Sequence, residues 1–325
     1  MTVNLVILLI VAVSAAVSLR WFLRAVRTPG RLATRLLKGA GLGLLALLLV
    51  VATVAGARGI FAVYRPPTAP VRALTISGSA EQLARGKYVT DVACMGCHGV
   101  NQGYPLRGGH NVAEAEGFGF MGDVIAENLT PAGKLASYTD GEVFRAIRHS
   151  LDREGKLLLE MSFLSVREIS DDDIMAIIAH LRAQPAEPSQ GATGDRINFL
   201  GMVMMGSGLF PRTKEVDSII TAPSAGVTPE YGRYVATLGG CRTCHGPEMA
   251  GVAASSVSPA MPDPRPFAQA VSLEGFVTTM RTGVRPDGKP FTDRMPWRIA
   301  SLMTDEDLAA LYAFLTAPLS GAGVR

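Results

Sequence analysis

The sequence predicts an all-α protein in which two tandem helical units follow an N-terminal transmembrane helical hairpin. Two long uncharged stretches near the start, one residue pattern written twice in the remainder, and a lack of period-2 runs point to that class. The boundaries read as 1–61 for two transmembrane helices with a basic cytoplasmic loop and 62–78 for a linker. A first unit then occupies 79–186, an inter-domain segment 187–227 and a second unit 228–325.

Residues 3–19 (VNLVILLIVAVSAAVSL) carry no charge and sit at the short end of a membrane span. A second uncharged stretch, Gly39 to Ala57, is rich in Leu, Val and Ala. Between them stand Arg20, Arg24, Arg27, Arg31, Arg35 and Lys38 with no acid. The positive-inside rule puts that loop in the cytoplasm and the chain after the second stretch on the outer side. The alternative is an export signal processed near Ala57, where Ala55-Gly56-Ala57 resembles a small-residue cleavage site. The opening Met1-Thr-Val-Asn4 lacks the basic flank such a signal needs at the first stretch. Both readings deliver the body to the periplasmic face of a bacterial inner membrane.

The chain has 325 residues with 31 basic and 28 acidic side chains, a formal charge of +3. All seven basic residues of 1–61 lie in a region without acids, so the body carries 24 basic and 28 acidic residues, or −4. The positive balance belongs to the anchor. No Lys/Arg cluster outside it resembles a phosphate-tracking patch, so nucleic acid is not an expected partner.

The body is one unit written twice. Glu81-Gln-Leu-Ala-Arg-Gly-Lys-Tyr-Val runs into Cys94-Met-Gly-Cys97-His98-Gly99, and Pro229-Glu-Tyr-Gly-Arg-Tyr-Val into Cys241-Arg-Thr-Cys244-His245-Gly246. Further on, Val143 to Arg148 with Asp152-Arg-Glu-Gly-Lys156 corresponds to Phe276 to Arg281 with Arg285-Pro-Asp-Gly-Lys289. Met161 and Met295 follow. Nine residues later Ser170-Asp-Asp-Asp and Thr304-Asp-Glu-Asp read as helix N-caps with acids in the first turn. Ile174, Ile177, Ile178 and Leu181 then match Leu308, Leu311, Tyr312 and Leu315 as one buried helical face, and Pro185 and Pro318 end the helices. The first copy has a longer Gly-rich loop, 101–136, which holds His110 and Met121. The apolar run 197–205 is too hydrophobic for a bare linker and needs packing against a domain or a membrane partner.

Four cysteines in Cys-x-x-Cys pairs would suggest disulfides in an exported chain or zinc in a cytosolic one. The His after each pair points instead to c-type haem attachment, in which two thiols add to the haem vinyl groups and the imidazole binds iron. The sequence therefore predicts two covalently bound haem c groups, at Cys94, Cys97 and His98 and at Cys241, Cys244 and His245. Met161 and Met295 are the candidate sixth ligands; a thioether raises the potential and closes the iron to substrate. His245 is the only histidine of the second half, and Pro296-Trp297 stiffens the Met295 loop and offers a flat side chain to cover the haem edge. At the first haem Ser162 replaces that proline, and His110 competes with Met161. His149 reads as a solvated cation at a helix end, and His180 as a surface or propionate-facing residue.

The Arg-Gly-Lys-Tyr-Val preceding the first motif, Asn128-Leu-Thr-Pro131, Asp287-Gly-Lys-Pro290 and Met295-Pro-Trp297 resemble the class I cytochrome c family over residues 79–185 and 228–319. The doubled arrangement is similar to membrane-anchored dihaem cytochrome c subunits of membrane-bound dehydrogenases and terminal oxidases. The resemblance implies His98/Met161 and His245/Met295 as axial pairs. It also implies a proline carbonyl behind each proximal imidazole, for which Pro131 fits the first copy and Pro259 is a guess in the second. Dehydrogenase cytochrome subunits often carry three haems. An oxidase subunit is closer in anchor and haem count, but its usual N-terminal features are not evident. The implied function is electron relay between a respiratory or dehydrogenase donor and an acceptor cytochrome or oxidase. The alternative is a dihaem peroxidase with one open haem.

Overall fold

The structure, a computed structural model, describes residues 1–29, 31–189, 191–210, 215–217, 219–292 and 294–318. The last seven residues of the second expected unit, and residues 190, 211–214 and 218 of the inter-domain segment, lie outside the described residues. The chain is mostly helical. Helices α1 (Thr2–Arg27) and α2 (Leu32–Tyr64) pack side by side, each long and apolar enough to cross a membrane, with mean hydropathy 2.5 and 2.4. The expected basic loop Arg20–Lys38 is itself largely helix. Arg and Lys favour helix, and the break is confined to the neighbourhood of Pro29.

The expected linker is a strap. Leu74 and Ile76 pack on the main core, and Arg72 pairs with Asp171 at 2.6 Å while lying over the Phe144 ring. Helix α3 (Ala80–Ala93) starts where the Ser79 side chain accepts from the Gln82 amide, and it runs straight into the short α4 (Met95–His98). A long loop holding α5 (Val112–Ala115) leads to α6 (Asp140–His149), which begins in a Thr139/Glu142 capping box. Helix α7 (Asp171–Ala183) has the Ser170 cap, Asp171–Asp173 in its first turn, and Ile174, Ile177, Ile178 and Leu181 fully buried.

Residues 187–227 contain α8 (Phe199–Ser207), which packs against α2. Arg196–Ile197 pairs antiparallel with Gly122–Asp123, closing the first unit's long loop onto this segment. The two-residue ladder is a small departure from an all-α body, made by loops that meet rather than by strand-patterned sequence.

Helix α9 (Pro229–Leu238) opens with Thr228 as cap and Pro229 in the first turn, then gives way to α10 (Cys241–His245). After α11 (Arg265–Ala270) come α12 (Leu273–Thr282), α13 (Trp297–Ala300) and α14 (Asp305–Thr316), the last capped by Thr304. Helix α3 crosses α7 at Gly86, where a Cβ would stand 1.9 Å from the Ala176 carbonyl oxygen. Helix α9 crosses α14 at Gly232, 1.9 Å from the Ala310 carbonyl oxygen. The bridges Leu151↔Leu157 and Val284↔Pro290 mark a second equivalence, around the two Gly-Lys turns. One apolar core runs through both units, and a second joins the end of α2, the 112–126 loop and Met202 of α8.

Candidate haem-attachment sites

Each Cys-x-x-Cys-His segment is a short helix hung directly from a longer one, so the motif is aimed by α3 in one unit and by α9 in the other. All four thiols are free of disulfides. Burial pushes Cys94 up to about 12 and Cys97 and Cys241 up to about 11, so the thiols stay protonated rather than reactive as in an exchange motif. Among the described residues no cluster of three or more Cys, His, Asp or Glu is placed to hold a metal ion.

His98 Nδ1 donates to the Glu127 carbonyl at 2.7 Å, and His245 Nδ1 donates to the Pro262 carbonyl at 2.8 Å. A carbonyl only accepts, so the ring proton is fixed on Nδ1 and the Nε2 lone pair is left to bind iron. Burial lowers the His98 pKa, which keeps that imidazole neutral. The orienting carbonyls are therefore not those of Pro131 or Pro259. In the first unit Ala126 pairs through its backbone with Gly109 and His110, which brings Glu127 behind the imidazole. Thr130 N turns back to Asn128 Oδ1 and Gly133 N to the Thr130 carbonyl, so Pro131 belongs to the next turn.

Met161 and Met295 are half-buried, and both pack on the core that also carries Cys94 and Cys241. Met161 sits in a 3-10 turn (Glu160–Phe163) held by Arg167, whose Nη1 donates to the Ser162 carbonyl at 2.9 Å. Arg167 is placed in turn by Arg148, which is fully buried and donates to the Arg167 carbonyl and to Asp171 Oδ1 at 2.8 Å. Arg281 repeats the arrangement on the Ser301 carbonyl and Asp305. Trp297 lies against the Gly283 backbone and carries Arg298 over its ring. His110 is exposed, with its backbone paired to Ala126. His180 Nε2 meets Tyr104 Oη at 2.8 Å, and Tyr104 Oη also donates to Asp91. His149 is not a solvated cation: burial first, then Arg148, Arg167, Arg145 and Arg72, hold its pKa down.

The two units meet through contacts that exchange equivalent residues. Tyr88 of α3 donates to Asp307 of α14, while Tyr234 of α9 donates to Asp173 of α7 at 2.5 Å. Each tyrosine oxygen also accepts from the N-cap amide of the opposite helix, Thr304 at 3.4 Å and Ser170 at 2.9 Å. Gly96 of the first motif lies against Ile299, four residues after Met295. Thr243 of the second motif accepts at Oγ1 from the Ser165 amide, four residues after Met161. Such reciprocity is the mark of packing about a two-fold axis. The arrangement brings the motifs to one acidic neighbourhood: after burial, Glu160 and Glu116 are the main groups raising the pKa of both Cys97 and Cys244. Glu160 itself is pushed up to about 7 by burial, then by Glu116 and Asp195.

These contacts predict a measurable loss when either hydroxyl is removed. Tyr234→Phe leaves the Ser170 amide unpaired and Asp173 short of a donor at a buried site, so it should cost about 1–3 kcal/mol in denaturant unfolding. Tyr88→Phe should cost less, because its Oη lies in a half-buried position. Equal stability for Tyr234→Phe and the parent chain would remove the interface from the stability argument.

The donor set fits a c-type haem: two unpaired thiols on one helical turn, an imidazole presenting Nε2, and a thioether in the shell of the same core. Residues 230–317 match the family described as Cytochrome c. The chain thus contains a cytochrome c domain, and that domain implies covalently bound haem c. Over 170 residues the chain is 27% identical to a gluconate 2-dehydrogenase cytochrome c subunit from Pantoea cypripedii, covering 50% of this chain and 37% of that one. It is 29% identical over 201 residues to one of the subunits of nicotinate dehydrogenase from Pseudomonas putida, covering 59% and 16%. It is 32% identical over 94 residues to the cytochrome c subunit of alcohol dehydrogenase (quinone) from Gluconobacter oxydans, covering 26% and 20%. The chain spans well under half the length of each of these relatives, and their kinship implies a role in electron transfer.

Proposed function

We propose that the chain is a membrane-anchored dihaem c-type cytochrome, built from two tandem class I cytochrome c domains, that relays electrons from a membrane dehydrogenase to an acceptor cytochrome or oxidase. The observation that carries this reading is the reciprocal packing of the two Cys-x-x-Cys-His units. It gives the first unit the same helix crossing, the same imidazole–carbonyl bond and the same Met-loop arginine as the unit matched to cytochrome c. When bound, haem supplies a one-electron carrier. The protein's part is to hold the proximal imidazoles by Glu127 and Pro262, to present Met161 and Met295 as sixth ligands, and to set one cysteine of each motif, Cys94 and Cys241, against the main core. Thioethers at both equivalent positions speak against a peroxidase, which needs one displaceable ligand.

The relatives named as dehydrogenase cytochrome subunits support a dehydrogenase as donor. The −4 charge of the body suits a basic soluble cytochrome as acceptor, docking weakly and briefly. Retention of α1 and α2 as an anchor, with the body in the periplasm, is supported by the basic turn and by the seating of α8 on α2. The test is haem per chain by pyridine haemochrome. The parent should give two, and the pair Cys94→Ser with Cys97→Ser should give one. A parent value of one would leave the first motif without haem and overturn the dihaem reading. Optical and EPR spectra should place both haems in a low-spin, Met-ligated state, with Met161→Ala and Met295→Ala each abolishing one signature.

A further inference from the structure

The apolar run between the two units is only partly absorbed by the body: Ile197 and Met202 are buried in the second core, whereas Leu200 stays exposed. Helix α8 is seated on the outer third of the membrane hairpin through small residues. A Cβ on Gly59 would stand 1.8 Å from the Met202 carbonyl oxygen, and one on Gly206 would stand 1.9 Å from the Ala55 carbonyl oxygen. This is the close backbone approach of helices that pack in lipid, where small residues rather than hydrophobic burial bring helices together. At the other helix, Asn4 is buried in the first turn of α1 and donates from Nδ2 to the Ile197 carbonyl at 2.9 Å. The contacts thus fall at residue 4 of α1 and residues 55–59 of α2, within or beside the apolar stretches of both helices.

Three further features match a lipid environment. No charged residue occurs from Ile197 to Phe210. Both ends of α8 carry side-chain caps: Asn198 Oδ1 accepts from the Gly201 amide at 3.0 Å and its Nδ2 donates to the Phe120 carbonyl, while Ser207 Oγ donates to the Met204 carbonyl and accepts from the Leu209 amide. Leu200, Leu209 and Phe120 remain 52%, 44% and 54% exposed, and Val54 and Phe61 of α2 are exposed too, on a helix face that also carries the exposed Arg58 at the outer end of the apolar stretch.

We propose that α8 and the Phe120 turn form a third membrane-embedded element, whose outward face is covered by acyl chains of the outer leaflet. It holds the first haem unit flat against the bilayer, in contrast to a body swinging on a tether. Phe118, Phe163 and Cys97 border the same small core as Met202, so this contact sets the height of the first attachment site above the lipid. The inference rests on the reading of α1 and α2 as retained membrane spans.

The full-length chain in its native membrane tests it. The photocrosslinking residue p-benzoylphenylalanine is placed at Leu200 or Leu209, with Leu47 of α2 and Val284 of the second unit as references. Phospholipid adducts at Leu200 and Leu209 should exceed those at Val284 by at least about tenfold and approach those at Leu47. Crosslinks to protein at Leu200 and Leu209, or no adduct at either, would overturn the inference. Absence of phospholipid at Leu47 would instead bring down the anchor reading, and haem stain on the same bands reports separately on the electron-transfer reading.

Discussion

Arg148→Met is expected to destabilise the chain by about 3 kcal/mol, toward the low end of the loss seen when one partner of a buried ion pair is removed. Arg148 is fully buried and ties the Arg167 carbonyl to Asp171 at the start of α7. The substitution leaves that carbonyl without its donor. Asp171 keeps Arg72 at 2.6 Å and the Ile220 amide at 3.1 Å, which is why the low end applies. The effect should reach the site, because Arg167 holds the Ser162 carbonyl beside Met161. On the proposed dihaem reading, a weakened Met–iron signature at the first site should accompany the loss, whereas the second site should keep its own. Arg148→Lys should recover little, since an ammonium cannot span both acceptors as a fork does. Arg281→Met provides the comparison: its partner Asp305 is largely exposed, so removing this pair should cost no more than about 1 kcal/mol. Denaturant midpoints for both variants check this, and equal losses would sink the argument that burial of the first clamp matters.

What the sequence discloses about this protein is the chemistry that needs particular side chains at fixed spacing. Cys-x-x-Cys-His, the Ser170 and Thr304 caps and the buried faces of the last helices are of that kind, because each is specified within a few residues of chain. The orienting carbonyls are not. Glu127 and Pro262 act through backbone oxygen, which leaves no mark on residue type, and only the path of the loop selects them over Pro131 and Pro259. His149 shows the same limit from another side: its neutralising neighbours Arg72 and Arg167 come from a strap and a turn distant in sequence. Tyr88, Tyr234, Asp173 and Asp307 are all visible as repeated residues, but their pairing across units is a relation between copies rather than a property of either. The run 197–205 announces that it needs a partner, and only the fold reveals that partner to be α2.

Gly232→Ala should be at least as damaging as loss of the arginine clamp, at about 3 kcal/mol or more, the upper range for overfilling a packed core. The methyl group would stand 1.9 Å from the Ala310 carbonyl oxygen and 2.5 Å from its carbon, with Phe314 Cβ at 2.8 Å. Two of these atoms are backbone of α14, so no rotamer change relieves the overlap and the helices must separate by more than an ångström. Helix α9 leads into the second Cys-x-x-Cys-His motif on α10, and α14 supplies Leu308, Leu311 and Leu315 to the core, so separation opens that site as well as the packing. Gly86→Ala meets the Ala176 carbonyl at the same 1.9 Å and should do equal harm in the first unit. Gly288→Ala isolates the other reason for glycine. Its φ is +78° with nothing within 4 Å, so only left-handed backbone strain of about 1–2 kcal/mol is at stake. Thermal midpoints and haem content of the three variants check the ranking. If Gly232→Ala and Gly288→Ala proved equally mild, α9 and α14 would have to cross less closely than this structure places them.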